Sequence, residues 1–338
     1  MREERKLAHI ENYLKTCYAG NTLLSDIFIE HDPLPDLGID DINTSVNLTS
    51  GRLEFPLLIN AMTGGTDMAV NINEDLAKLA KKYGIAMAVG SQAIAIMDKK
   101  DAESFKIVRE VMGSEGNILA NMSALASVED VQAAIDMIDA NGVQLHLNPA
   151  QELVMEEGDR DFKGVCANIE KIMKEVSAPV IVKEVGFGFG ESSIKKLIKL
   201  GVSDIDIGGA GGTNFIEIED LRMGKYDYSD LYCWGNPTAY SIIKARDLSK
   251  DLFIIGSGGI RTSGEAIRAM VIGSNIVAMS GEILSYLMHG GYESADLFLE
   301  QFMYKFKVLM LLTGSRNIDE LRSLPHKITG RLKDLLNE

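Results

Sequence analysis

Cysteine and long apolar runs are scarce in this sequence of 338 residues. Cys17, Cys166 and Cys233 lie far apart and in no metal-binding spacing, so we predict free thiols in a reducing compartment, not a disulfide framework. No apolar run approaches the length that spans a membrane. The charged N-terminus also lacks the apolar core of a signal peptide. These shortages predict a cytoplasmic protein that does not insert into a membrane.

Positive charge is also in short supply. The chain has 34 lysines and arginines against 49 aspartates and glutamates, which gives a formal net charge of −15. A field of that sign repels polyanions, so we expect no nucleic-acid partner and no anionic membrane surface. A small anionic substrate stays compatible with this charge where lysine, arginine or a metal ion reverses the potential locally. The remaining composition, 46% hydrophobic and 25% charged, is that of a globular protein.

A regular alternation of two patterns fills most of the chain. Segments with helical spacing separate eight short apolar runs, each too continuous for a strand with one side in water and therefore typical of a buried parallel sheet. The runs are residues 55–61, 85–89, 118–121, 143–147, 180–184, 204–207, 253–256 and 276–279. Eight such units most simply close into a (β/α)8 TIM barrel, and an open doubly wound sheet is the alternative.

The barrel pattern divides the chain into three parts. We expect a single domain with an N-terminal helical arm and irregular wrapping segment at 1–54, the barrel at 55–290, and extra C-terminal helices at 291–338. The connection 208–238 is too long for an ordinary loop of a compact barrel, so we expect it to form a lid or a wall of the site.

Polar residues follow the predicted strands, at the barrel face that carries function in this architecture. After the run 143–147 come Asn148, Gln151 and Glu152, and His146 lies two residues before Asn148, on the same face of the strand. A buried strand followed by a helix cap is the structural alternative. Glutamate oxygens suit a hard cation such as Mg²⁺, but a first-turn glutamate that answers the helix dipole explains Glu152 equally well.

Two further features point to an anion. Glycine-rich segments at 256–261 and 279–281 follow the last two strands, where glycine lets the backbone approach a phosphate and helix N-termini supply N–H donors. Glycines that serve only tight βα turns are the structural alternative. Lys183 ends an otherwise apolar strand, which is costly unless an anion compensates it. The candidates are Glu184, a substrate phosphate and a reduced flavin, and a carboxylate of the barrel is the structural alternative.

These residues together resemble the type 2 isopentenyl-diphosphate isomerases, which are FMN-dependent barrel enzymes. The resemblance runs in order from about residue 2 to residue 325 and rests on Arg5-Lys6 with His9, NAMTGG at 60–65, GSQ at 90–92, LHLNPAQE at 145–152, VKEVGFG at 182–188, GGAGGTNF at 208–215 and GSGGIR at 256–261. It implies an enzyme of isoprenoid biosynthesis that interconverts isopentenyl and dimethylallyl diphosphate by a 1,3-proton shift, with reduced FMN as acid–base catalyst.

The resemblance also implies a role for individual residues. The implied FMN contacts are Ala61, Met62, Thr63, Ser91, Asn121, Lys183, Thr213, Gly258, Gly259, Ile260, Met279 and Ser280. The implied substrate contacts are Arg5, Lys6, His9, Ser91, Gln92, His146, Asn148 and Gln151. Gln151, as a proton relay or alkene-positioning group, and Lys183, beside the flavin, are the implied catalytic residues, and Glu152 matches the Mg²⁺ ligand. Gly208 and Ala93 depart from the serine and the arginine of many relatives.

The resemblance extends to partners. It implies a small diphosphate substrate, NADPH as the reductant of the flavin, and a homo-oligomer, either a tetramer or an octamer. The principal alternative is an FMN-dependent oxidoreductase of the hydroxy-acid oxidase or nucleotide dehydrogenase kind. Such an enzyme needs a base for the substrate hydroxyl or a cysteine on a strand-end loop, and neither Cys166 nor Cys233 has that context. A catalytically silent phosphate- or flavin-binding regulator is a further alternative.

Overall fold

A closed barrel of eight parallel strands stands at the centre of the molecule. The computed structural model describes residues 2–16, 20–223 and 226–337; Cys17, one of the predicted free thiols, lies outside these ranges. The barrel strands are β4 (Leu57–Ile59), β5 (Ala86–Ala88), β6 (Ile118–Ser123), β7 (Gly142–Leu147), β8 (Val180–Glu184), β9 (Asp204–Asp206), β10 (Phe253–Gly256) and β11 (Ile276–Met279). Each of the eight predicted runs overlaps one of them, so the predicted TIM barrel is confirmed.

Helices surround the barrel. They are α1 (Arg2–Tyr13), α2 (Asp67–Tyr83), α3 (Ala93–Met97), α4 (Glu103–Met112), α5 (Val128–Met137), α6 (Pro149–Val154), α7 (Val165–Glu175), α8 (Glu191–Lys199), α9 (Phe215–Met223), α10 (Thr238–Leu248), α11 (Ser263–Val271), α12 (Gly281–Leu311), α13 (Ile318–Arg322) and α14 (Gly330–Leu336). Local sequence sets their ends. The Thr66 hydroxyl accepts the Ala69 N–H at the start of α2, and Gly84, at φ +60°, ends it.

The core forms two layers that follow the alternation of the strands. Leu57 and Ile59 of β4 face the helices and join the large cluster between barrel and helices. Leu58, between them, faces the interior of the barrel and joins a smaller cluster there. Because every second residue of each strand faces the interior, polar residues at the strand ends reach the same central region.

The segment predicted to be irregular contains three short strands. They are β1 (Ile27–Ile29), β2 (Val46–Leu48) and β3 (Gly51–Leu53). β2 and β3 pair as an antiparallel hairpin, and β1 pairs with β12 (His326–Ile328) near the C-terminus. Strands of three residues are too short to show a period of two, so the sequence pattern missed them.

Two other expected boundaries can be compared with the structure. The connection 208–238, expected to be a loop, contains α9. Within α12, two helical segments meet at Gly291, whose backbone is not helical (φ +73°), next to the boundary expected between residues 290 and 291. Cys166 and Cys233 are free thiols, as predicted, and both are exposed. Within the described ranges, no helix combines the length and the hydrophobicity that crossing a membrane requires.

Candidate active site

A cavity of about 440 Å³ lies at the carboxyl ends of the barrel strands, partly covered by α1 and α9. All predicted site residues except Gln92 and Thr63 line it. Those that do are Arg5, Lys6, His9, Ala61, Met62, Ser91, Asn121, His146, Asn148, Gln151, Glu152, Lys183, Thr213, Gly258, Gly259, Ile260, Met279 and Ser280. Residues from the N-terminal arm and from each barrel strand or the segment that follows it therefore meet in one place.

Gln92 and Thr63 lie behind the cavity wall. Gln92 is fully buried; its Nε2 donates to the Ala134 carbonyl at 2.9 Å, and its Oε1 accepts the Asn121 N–H at 3.1 Å. The substrate contact implied for Gln92 is not supported by this structure, because its amide bonds to α5 at one end and to β6 at the other and does not line the cavity. Thr63 is also buried, and its hydroxyl has no hydrogen-bond partner among the described residues.

One end of the cavity has the features of a phosphate site. Gly258 and Gly259 have φ of +100° and +81°, and a Cβ on either would lie 2.2 Å from a backbone oxygen of the neighbouring 209–211 segment. α12 begins beside them, and its N-cap residue Ser280 makes no side-chain capping bond. The first N–H groups of a helix are favourable donors to an anion. Arg261, which the sequence analysis did not select, adds a cationic side chain to the same wall.

Lys183 projects from the end of β8 into the barrel interior. Its Nζ lies 3.3 Å from Asp206 Oδ2 and donates to the Glu184 carbonyl at 2.9 Å. Asp206 is therefore the compensating anion, and the candidate Glu184 is not. The Glu184 Oε2 instead accepts the N–H groups of Gly186, Phe187 and Gly188 at 2.6 to 2.8 Å. The ion pair keeps the Lys183 ammonium group at the cavity floor.

The opposite wall is joined to the N-terminal arm. His9 Nε2 and Gln151 Nε2 both lie 2.8 Å from Glu219 Oε1, and Arg222 Nε donates to Oε2 at 2.6 Å. Burial alone would raise the pKa of Glu219, but the hydrogen bonds from these three groups outweigh it and lower the pKa to about 2. Glu219 is thus an ionised anchor that holds α1 and α6 to α9.

Contacts of α1 place the arm over its own barrel. Lys6 Nζ donates to the Ser91 carbonyl at 3.0 Å, and Arg5 lies 3.9 Å from Glu157. Both cationic side chains line the cavity. They supply two cationic groups at a cavity whose lining also includes the carboxylates of Glu152, Glu157 and Asp159.

Glu152 lies in the first turn of α6. Its Oε1 accepts the Asn148 Nδ2 proton at 2.9 Å and its Oε2 accepts the Asp159 N–H at 2.9 Å. Across the described ranges, no group of three or more histidine, cysteine, aspartate or glutamate residues is arranged to hold a metal ion. A cation at Glu152 would therefore depend on water or substrate oxygens for its other ligands, as is usual for Mg²⁺.

His146 is held in its neutral form. Burial, together with the charges of Lys183 and Lys6, lowers its pKa from 6.5 to about 4. Its Nδ1 lies 2.9 Å from Asn121 Oδ1. An amide oxygen only accepts, so Nδ1 carries the proton and Nε2 is the unprotonated nitrogen.

The lowered pKa of His146 predicts a pH-dependent loss of stability. Because the folded pKa lies below the unfolded value, the folded state binds fewer protons between pH 6.5 and pH 4, so stability falls as the pH drops through that window. Urea unfolding of the wild type and His146→Gln at several pH values isolates this contribution as the difference between the two profiles. Parallel profiles for the two proteins over this window would contradict the lowered pKa.

Several site residues carried no signal that the sequence analysis used. Glu219 lies in the acidic segment 217–220, where nothing distinguishes it from its neighbours. Tyr13 lies so near the start of α12 that a Cβ on Gly281 would be 2.0 Å from its hydroxyl. Asp206 interrupts an apolar run, as Lys183 does, and this charge within a predicted strand could have marked it as a candidate site residue.

The fold and the family model define the class of protein. Residues 117–326 match the model of the FMN-dependent dehydrogenases. Among solved structures, a mandelate oxidase variant with (S)-mandelic acid superposes with a TM-score of 0.69 at 14% identity, over 95% of this chain and 94% of that one. A flavocytochrome b2 variant with pyruvate bound gives 0.70 at 14% identity, over 97% and 80%. The chain is an FMN-type TIM barrel.

Full-length relatives identify the family within that class. An isopentenyl-diphosphate delta-isomerase from Geobacillus sp. is 43% identical over all of this chain and 96% of its own length. Those from Bacillus licheniformis and Moorella thermoacetica are each 40% identical, over 97% and 98% of this chain and 94% and 95% of their own. The chain belongs to the isopentenyl-diphosphate delta-isomerase family.

The residues present fit an FMN cofactor. The Gly258-Gly259 turn and the start of α12 offer backbone N–H groups for its phosphate, while Ala61, Met62 and Lys183 line the adjacent wall. The close approach of the glycine loops leaves no room for side chains there. The donor set thus suits a phosphate at one end and an extended ring beside an ammonium group at the other.

Proposed function

We propose that this protein interconverts isopentenyl diphosphate and dimethylallyl diphosphate by a 1,3-proton shift. The observation that carries the proposal is the convergence, in one cavity, of a phosphate-type glycine wall with a second cationic region formed by Arg5 and Lys6. Two anionic groups, one of the cofactor and one of the substrate, can then occupy opposite ends. The relatives of 40–43% identity carry the isomerase name over their full length.

Arg5, Lys6 and Ser91 would bind the diphosphate. The two cations would offset its charge, and Glu152 would hold a Mg²⁺ ion that supplies further positive charge. Asn148 orients Glu152 through the bond from Nδ2 to Oε1. Because Ala93 stands where some relatives have an arginine, the arm and the metal carry more of the charge in this chain.

Gln151 and His9 would position the alkenyl chain. Both are fixed by Glu219, so the orientation of the Gln151 amide is set before substrate binds. Glu219 stays ionised at neutral pH, and an amide does not titrate, so neither is suited to supply a proton directly. When bound, reduced FMN supplies the proton exchange at the alkene and offsets the positive charge of the transition state.

Lys183 would favour the anionic reduced cofactor by its charge. We further propose NADPH as the reductant, a cytoplasmic location and a homo-oligomer, either a tetramer or an octamer. The oxidoreductase alternative shares the barrel at 14% identity, which supports the fold alone. The described part of the cavity wall includes no cysteine for such chemistry.

Solvent deuterium tests the reaction type. Anaerobic reduced holoenzyme with Mg²⁺ and isopentenyl diphosphate in deuterated water should yield deuterated dimethylallyl diphosphate, because the proton that is added comes from solvent. NADPH should be needed only in catalytic amounts. Mass spectrometry of the products and NADPH absorbance give both readouts.

Two results would contradict the proposal. Stoichiometric NADPH consumption with a reduced or oxidised product would favour the oxidoreductase. A colourless protein that binds no FMN on reconstitution would remove the cofactor from the account altogether. Enzyme kept oxidised, under otherwise identical conditions, is the control and should exchange no deuterium.

A further inference from the structure

A buried polar network extends from the barrel interior to the cavity floor. Its centre is Asp206, which has no exposed surface and does not line the cavity. Besides Lys183 at 3.3 Å, its carboxylate accepts from Asn60 Nδ2 at 2.7 Å, Gln144 Nε2 at 3.1 Å and the Ser257 hydroxyl. Four donors from four other strands or strand ends therefore converge on one carboxylate on β9.

The hydrogen bonds fix which end of each side-chain amide in the network faces which partner. A carboxylate only accepts, so the nitrogen of the Gln144 amide must face Asp206 and its oxygen must face the other way. That oxygen accepts from Asn121 Nδ2 at 3.1 Å. With its nitrogen used in this way, Asn121 presents its oxygen to His146 Nδ1 at 2.9 Å.

Asn60 favours the same orientation of the Gln144 amide. Its oxygen accepts the Ala61 N–H and the Gln144 Nε2 proton, both at 2.9 Å. The orientation of the Gln144 amide is thus imposed by two acceptors. Reversing it would place an amide oxygen against a carboxylate and a second amide oxygen, which is repulsive among buried groups.

We propose that Asp206 and Gln144 are positioning residues that fix His146 as the Nδ1–H tautomer through Asn121, while the same carboxylate holds Lys183. Neither reaches the cavity, so they act only through the residues that do. The tautomer follows from the structure alone, and its role in the active site rests on the proposed function. His146 then offers Nε2 as a neutral hydrogen-bond acceptor, which suits an ammonium or water donor and not a direct bond to a diphosphate oxygen.

The tautomer can be measured directly in the holoenzyme. Two-bond ¹H–¹⁵N correlation spectra distinguish Nδ1–H from Nε2–H imidazole, and the His146→Gln spectrum identifies the His146 signals by their absence. We expect the wild type with oxidised FMN to give a single Nδ1–H pattern at neutral pH. Gln144→Met keeps the side-chain volume but removes the amide oxygen and the amide nitrogen. Asn121 is then no longer held with its oxygen toward His146, so the Nε2–H pattern should appear.

Asp204→Asn is the matched control. Asp204 is a buried carboxylate two residues earlier on the same strand, and it bonds to Thr49 and Ser203, not to the network. It should leave the Nδ1–H pattern unchanged. An Nε2–H wild type overturns the proposal even if Gln144→Met fails to fold, and so does an unchanged pattern in folded Gln144→Met. None of these readouts uses substrate, so failure of the isomerase assignment is separately detectable by the deuterium assay.

Discussion

Replacing Lys183 with methionine is expected to destabilise the protein by about 3–5 kcal/mol, since it leaves Asp206 as a buried charge without its cationic partner. The same change removes the ammonium group from the cavity floor. We therefore also expect kcat/KM for isopentenyl diphosphate to fall by about 10²–10³-fold, the usual cost of one lost electrostatic group in an active site. Urea unfolding and steady-state kinetics measure the two effects on the same protein.

The double variant Lys183→Met with Asp206→Asn separates the two effects. Neutralising both members of the pair removes the uncompensated charge, so most of the lost stability should return. Activity should not return, because the ammonium group is still absent. Recovery of activity in the double variant, or a single variant as stable as the wild type, would contradict the role given to Lys183.

Replacing Glu152 with glutamine is expected to raise the Mg²⁺ concentration for half-maximal activity by at least about tenfold, the lower end of the loss seen when outer-shell groups of metal sites are removed. The glutamine keeps an acceptor for Asn148 but loses the charge that attracts the cation. Activity assayed over a range of Mg²⁺ concentrations gives the value.

Asp159→Asn is the control for this measurement. Asp159 also lines the cavity, and its backbone N–H, which the substitution leaves in place, is the group that donates to Glu152. An unchanged Mg²⁺ requirement is therefore expected for it. If both variants raised the Mg²⁺ requirement equally, the cause would be a general loss of negative charge at the cavity rim, and Glu152 would not be the Mg²⁺ ligand.

The strand-end residues of the cavity lining follow from one local rule. Strand ends in a parallel barrel meet at one face, so once eight apolar runs are found, the residues after them are placed together. This rule brings His146, Asn148 and Glu152 to the same region as Lys183 and the glycine turns. Gln92, a substrate contact implied by the resemblance, lies off the cavity, because position near a strand end does not say whether a side chain turns inward or into the helix layer.

The sequence by itself determined the barrel, its strand order along the chain and the strand-end part of the cavity wall, since apolar period and strand-end chemistry are local properties. The other predicted lining residues, among them Arg5, Lys6 and His9, came from the family resemblance. Only the tertiary structure decided that Asp206, not Glu184, compensates Lys183, and that Glu219 joins the arm to α6. The reason is physical. A buried charge is stabilised by groups distant in sequence, and which donors reach it depends on how the strands and the lid pack against one another.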